Sequence, residues 1–421
     1  MKTTIFTTII LLCTWMLAAQ QIQPSEGGSF VLKNGQVYDH DKGLVSTDLY
    51  INNGKIEAIG ERLSYPEAKV VDCTGLSIYP GMIDSGTKLG LAEISSVSLT
   101  NDYSEIGTYT PHMEALTAVN PNSVNIPVNR VNGVTTVIAA PTGGLFPGKA
   151  ALIDLHGYTP EQMYAGFKGV ILRFPSSGKR GRWDRRSDED ILKANKAALK
   201  KLNKFWKAAQ VYAGLKNKGE YNPQMQAVEE VVNGTAPLLV EVNKKSDILS
   251  ALAWVSKNNV KAIFTGMAEG YRTIDSLVKY DIPVITGPIL NNPSRNSDKY
   301  DVGYTNAGQM QKAGIRVAIR TNETENVRNL PYNAGFAATY GMGFKEAFRA
   351  VTIVPAELFG VGDQYGSLEK GKVANLFITD GDPFETKTQV QHLFIKGWKV
   401  PLESRHTLLY DEFLERSPGL R

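Results

Sequence analysis

Residues 28–79 alternate apolar and polar positions between glycine-containing turns, in "SFVLKNGQVYD", "DLYINNGKIEAIG" and "AKVVDCTGLSIYP". A period of two predicts short strands half buried on one face, and "NNGK" is a hairpin signal. These strands are expected to pair antiparallel. A similar pattern returns near the other end, in "GSLEKGKVANLFITDGDP" and "VQHLFIKGWKV". Between them, apolar β-rich runs at 134–140, 170–174, 238–242, 262–265, 283–286 and 315–320 alternate with helical patterns. That alternation predicts a parallel sheet, open or closed. The strands at both ends would then form one small β unit, capping a central α/β body.

The clearest helix is expected over 188–215. Ile191, Ala194, Ala198, Leu199, Leu202, Phe205, Trp206, Ala209 and Tyr212 recur at helical spacing, and Ser187 precedes three acidic residues as an N-cap. The stretch 179–218 carries 13 Lys/Arg against 4 Asp/Glu, a local +9. No aromatic-interleaved strand or groove motif accompanies it, so it reads as a solvated helix face rather than a nucleic-acid interface.

Composition adds bounds. At 421 residues, 42% apolar and a net charge of +4, the chain can bury a large core, which excludes disorder throughout. Residues 1–21 read as a secretory leader: Lys2 is the only charge, 5–19 is apolar, and "LAAQ" offers small residues for cleavage. The chain is therefore expected to be exported to the periplasm or beyond, with no membrane attachment after cleavage. Cys13 falls in the leader, so the mature chain keeps only Cys73, read as a small buried hydrophobe without a disulfide partner.

Three local motifs fail. "GGLFPGKA" at 143–150 nearly matches a phosphate-binding loop, but Ala150 has no hydroxyl and Pro147 removes an amide. No two of His40, His112, His156, His392 and His406 stand at zinc-ligand spacing. No G-x-S-x-G nucleophile elbow occurs. His112, after "TYTP", stays as a loop histidine within reach of a pocket.

At "LSIYPGMIDSGTKLG", residues 76–90, the chain resembles the amidohydrolase superfamily, and its imidazolonepropionase-like exported members in particular. That signature runs P-G-x-I-D-x-H-x-H. Pro80, Gly81, Ile83 and Asp84 match it, whereas Gly86 and Lys88 stand at the two histidine positions. "VNGVTTV", "PLLVEVNKKSDILSALAWVSKNN", "TNETENVRNLPYNAGFAATYGM" and "AFRAVTIVPAELFGVGDQYGSLEKGKVANLFITDGDP" extend the likeness over nearly the whole mature chain. The resemblance implies an α/β fold: a distorted (β/α)8 TIM barrel over 80–365 and a composite β-sandwich from 25–79 and 366–402.

The resemblance also implies one or two divalent ions, held by the strand-one pair, histidines on strands five and six, and a strand-eight aspartate. Here those positions carry Gly86, Lys88, Glu241, Gly266 (with Thr265 one residue away) and Asn322. Such an ion would lower the pKa of bound water to about 7, and the aspartate would shuttle the proton. With neither present, the family's hydrolysis of non-peptide C–N bonds is not expected, no metal or cofactor is expected, and a ligand-binding or partner-docking role is. The ligand class implied is a cyclic amide or peptide-like molecule. The partner implied is a second copy or a catalytically intact relative.

Lys88 and Glu241 are expected to replace the dication as an ion pair, with Lys88 Nζ within about 4 Å of Glu241 or Asp84. Asn243 and Asn322 would complete the network, and Asp84, Asn243 and Glu269 are candidate ligand-binding residues. Two alternatives remain open. Lys88, Glu241 and Asn322 could carry a metal-independent hydrolysis, with Lys88 as nucleophile or base. Asp84, Glu241, Asn243 and Glu323 could instead form an oxygen-only site for Mg²⁺ or Ca²⁺.

Overall fold

The computed structural model describes residues 24–179, 184–293, 295 and 297–416. The leader and Cys13 lie outside the described residues. Among those described, no helix is long and apolar enough to cross a membrane.

Eight strands form a barrel in chain order: Met82–Thr87, Val134–Ala139, Lys149–Asp154, Tyr164–Arg173, Leu238–Val242, Ala262–Gly266, Val284–Thr286 and Val317–Ile319. The (β/α)8-type barrel expected from the sequence is present, but its sheet is not wholly parallel. The third strand runs antiparallel to both neighbours. Loop length explains this. Only residues 140–148 and 155–163 connect it, nine on each side, whereas a parallel crossover takes a dozen or more. The first and eighth strands meet through Asn322 N to Gly86 O and Lys88 N to Glu323 O, both 2.9 Å.

Each strand sends aliphatic or small side chains to the barrel axis. Ile83, Ile138, Leu152, Ile171, Leu239, Ile263, Ile285 and Ala318 are buried in one cluster, one from each strand. Such a layer makes the barrel a packed core rather than a pore. It also fixes parity. Side chains alternate along a strand, so residues two beyond these on the parallel strands, such as Glu241, Thr265 and Arg320, point to the axis at the mouth.

The helix expected over 188–215 is observed as Asp188–Ala213, with the Ser187 hydroxyl accepting from Asp190 N. Ile191, Leu202, Phe205, Trp206, Ala209 and Tyr212 are its buried face.

Outside the barrel, a four-stranded and a six-stranded sheet enclose a second core containing Phe30, Leu32, Leu49, Ile51, Cys73, Ile78, Leu376 and Phe394. The six-stranded sheet combines Gln36–Asp39, Gly43–Ser46 and Ser77–Pro80 with Leu376–Thr379, Val390–Ile395 and Trp398–Val400. Asp48–Asn52 and Lys55–Gly60 form the hairpin that "NNGK" predicts, with Asn53 and Gly54 both at positive φ. The expectation of antiparallel pairing needs correction in two places: Phe30–Lys33 with Lys69–Asp72, and Gln36–Asp39 with Ser77–Pro80, pair parallel because long excursions separate them in sequence. Cys73 is buried and free, and burial pushes its thiol up to about 12.

Candidate functional site at the barrel mouth

A cavity of about 670 Å³ opens at the mouth. Its lining includes Gly86, Lys88, Arg173, Glu241, Asn243, Lys244, Thr265, Arg320 and Asn322. Glu241 lines it, and both of its oxygens are taken by Arg320. Nη1 donates to Oε2 and Nη2 to Oε1, each at 2.8 Å. Thr265 Oγ1 donates to Oε2 at 2.7 Å and Asn243 Nδ2 to Oε1 at 3.4 Å. Burial alone would raise the Glu241 pKa, but the Arg320 charge and these hydrogen bonds outweigh it and hold it at about 2. Burial likewise disfavours the Arg320 cation, and Glu241 more than restores it.

Two glycines make room for this pair. A Cβ on Gly86 would lie 2.9 Å from Arg320 Cδ. A Cβ on Gly266 would lie 2.5 Å from Asn243 Oδ1 and 2.9 Å from Glu241 Oε1, and its φ of +89° already favours glycine. The two positions where the resemblance implies imidazoles are thus filled from neighbouring strands.

The expected pairing of Lys88 is not observed. Its Nζ lies 5.0 Å from the centre of the Tyr103 ring, and the carboxylate assigned to it is occupied by Arg320. A planar guanidinium engages both carboxylate oxygens at once, which a lysine ammonium cannot match. Asp84 is wholly buried and outside the cavity lining, so it is not placed to bind a ligand. It accepts from Thr321 N, Thr321 Oγ1 and Gly86 N, tying the first strand to the eighth. Burial raises its carboxyl to about 7 against these hydrogen bonds.

Glu269 is also buried and away from the lining; its carboxylate accepts from Arg295 and from Lys245 N. Asn322 and Asn243 do line the cavity. Asn322 adopts φ +57°, a left-handed conformation asparagine tolerates, while its amide bridges to Gly86. His112 opens on a separate cavity beside Asn222, Pro223 and Gln224. The 143–150 loop leads into the third strand, and its Gly143 O accepts from Arg173 Nη1 at 2.8 Å.

The mouth does not suit a resident divalent ion. Gly86 and Gly266 offer no donor, Lys88 is a cation, and the oxygens of Glu241 already face a guanidinium. Among the described residues, no group of three or more His, Cys, Asp or Glu could hold a metal ion, which also removes the oxygen-only site.

Sequence reasoning missed Arg320, Arg173 and Lys244, and named Thr265 only as the neighbour of the Gly266 position. Parity carried the signal. Arg320 is two residues beyond Ala318 and Arg173 two beyond Ile171, and both aliphatics face the axis.

Comparison with known proteins agrees with the architecture. The amidohydrolase family model matches residues 283–400. The chain is 40% identical over 55 residues to the dihydroorotase of Aquifex aeolicus (strain VF5), a match covering 13% of each chain. The match to such curated relatives therefore spans a small part of their length. The crystal structure of an amidohydrolase from Thermotoga maritima MSB8 has a TM-score of 0.77 at 24% identity, covering 89% of this chain and 100% of that one. An adenosine deaminase from Xanthomonas campestris, with bound zinc, has a TM-score of 0.53 at 16% identity, covering 94% of this chain and 99% of its own.

Proposed function

We propose that this chain, a member of the amidohydrolase superfamily, is an exported ligand-binding barrel that does not hydrolyse its ligand. The observation that carries this reading is the Arg320–Glu241 pair in the mouth, with Gly86 and Gly266 leaving room for it. A guanidinium neutralises the carboxylate there, but it neither binds water as a Lewis acid nor lowers its pKa. Hydrolysis would also need a base reaching the cavity. Glu241 at about 2 is too weakly basic near neutral pH, Asp84 is sealed from the lining, and Asp247, though in the lining, is buried with both oxygens engaged by Ser176 and Ser177. Lys88 is a cation on an aromatic ring. Export rests on the leader-like residues 1–21, and docking on a second copy or on an intact relative would follow from the same loss of catalysis.

Metal analysis and a hydrolysis screen test the proposal together. Purified mature protein should hold well under one equivalent of zinc, and cyclic amides and N-acyl amino acids should not turn over. One tightly held equivalent, or turnover abolished by Glu241→Ala, would overturn it.

A further inference from the structure

We infer that the mouth binds a small organic anion carrying two or more negative charges on an apolar body. This deepens the ligand-binding reading, on which it rests, by naming the ligand's chemical class.

Charge at the lining carries the argument. Two of its cations are already neutralised: Arg320 by Glu241, and Arg186 by Asp184. Lys88, Arg173 and Lys244 have no carboxylate within ion-pair distance among the described residues. The lining's remaining acid, Asp247, accepts from the Ser176 hydroxyl and from Ser177 N rather than from a cation. Three cations against one carboxylate leave two positive charges, and the exposed Lys179 at the rim adds to them. A recessed surplus of one sign favours an oppositely charged ligand.

The cations are also held in place. Arg173 Nη1 donates to Gly143 O, and Lys88 lies on Tyr103. Lys244 packs so closely on Gly178 that its side chain leaves no room for a Cβ there. Ile138, Leu145, Ile171 and Phe174 add apolar surface between them. A cavity of about 670 Å³ is the size of small-molecule sites. The 188–213 helix lines the same cavity through Ala194, Asn195 and Ala198 while its lysines face solvent.

Calorimetry on the mature full chain, with inorganic phosphate, glutarate and N-acetyl-L-glutamate as probes, tests this. At least one dianion should bind about tenfold more tightly than neutral N-acetyl-L-glutamine amide, and more weakly as salt rises. Lys88→Gln, Arg173→Gln and Lys244→Gln should each weaken that binding about fivefold or more. Lys200→Gln, on the exposed helix face, should leave it unchanged. No binding of any of the three anions, equal binding of the neutral analogue, or an equal loss in Lys200→Gln would overturn the inference. The non-catalytic reading fails separately: acetate released from N-acetyl-L-glutamate would overturn it and leave the anion site standing. A metal-free, inert protein that binds no anion would do the reverse.

Discussion

Arg320, directly after the eighth barrel strand, and Glu241, on the fifth, face each other in the mouth with two parallel hydrogen bonds of 2.8 Å. Each is two residues beyond an axis-facing aliphatic, Ala318 and Leu239. The pair is the polar layer that follows the barrel's apolar one. Arg320 is 9% exposed and Glu241 26%, so neither charge is well served by water if the other is removed.

Arg320→Met should therefore destabilise the protein by about 3 kcal/mol, because it leaves a recessed carboxylate without its partner. Arg320→Lys should cost less yet still measurably, since an ammonium cannot span both oxygens. The double variant Arg320→Met/Glu241→Leu should recover most of the loss, as apolar replacements of buried ion pairs commonly do. Urea denaturation of the three variants measures this. A double variant no more stable than Arg320→Met would mean that packing, not charge, accounts for the effect.

The two carboxylates of the mouth region pull stability in opposite directions with pH. Glu241 is depressed from 4.5 to about 2, so its contribution is complete above about 4.5 and is lost as pH falls toward 2. Asp84 is raised from 3.8 to about 7, so the folded state keeps a proton that the unfolded state has released. Stability should accordingly fall as pH rises from about 4 to about 7, then level off. Asp84→Asn should flatten that decline in denaturation curves taken across the interval. An unchanged slope would assign it to another group.

Gly266→Ala should cost about 2 kcal/mol or more, because the new methyl meets Asn243 and Glu241 at a backbone conformation already strained for alanine. Gly234→Ala isolates the conformational part: its φ is +74° but nothing lies within 4 Å of the added Cβ. That control should cost about 1 kcal/mol. Equal shifts in thermal midpoint for the two variants would show that the Glu241 cluster tolerates crowding.

Six of the eight barrel strands were legible because they are strongly patterned, whereas closure into a barrel came from the resemblance and Lys149–Asp154 was not singled out. Leu238–Val242 has the expected bounds, and the Ser187 cap starts the long helix where the acidic triplet suggests. Strand direction was less legible. Lys149–Asp154 is reversed by the short loops around it, not by anything in its own residues. At the site, the positions suggested by resemblance led to the mouth but not to its arrangement. Asn322 was chosen over Arg320 because aligned motifs mark positions, whereas only alternation from Ala318 tells which side chain turns inward. Lys88 has the right charge and the right neighbourhood, but a better-shaped cation two strand positions from Asn322 reaches Glu241 first.

A second buried carboxylate ties the barrel to the six-stranded sheet. Asp154, wholly buried at the end of the reversed third strand, accepts from Thr136 Oγ1 at 3.0 Å, Asn375 Nδ2 at 2.7 Å and Tyr365 OH at 3.0 Å, with Lys396 Nζ at 3.3 Å. Burial raises its pKa against all four of these partners. Asn375 directly precedes Leu376–Thr379 and Lys396 directly follows Val390–Ile395, so both belong to the sheet side of the contact. Tyr365→Phe removes one donor to a buried charge while keeping the ring, and should cost about 2 kcal/mol. Lys396→Met removes the countercharge and should cost more, with the gap narrowing in acid as Asp154 takes up a proton. Chemical denaturation at neutral and acidic pH gives both values. A Lys396→Met cost that did not shrink on acidification would mean that Asp154 is already protonated in the native protein.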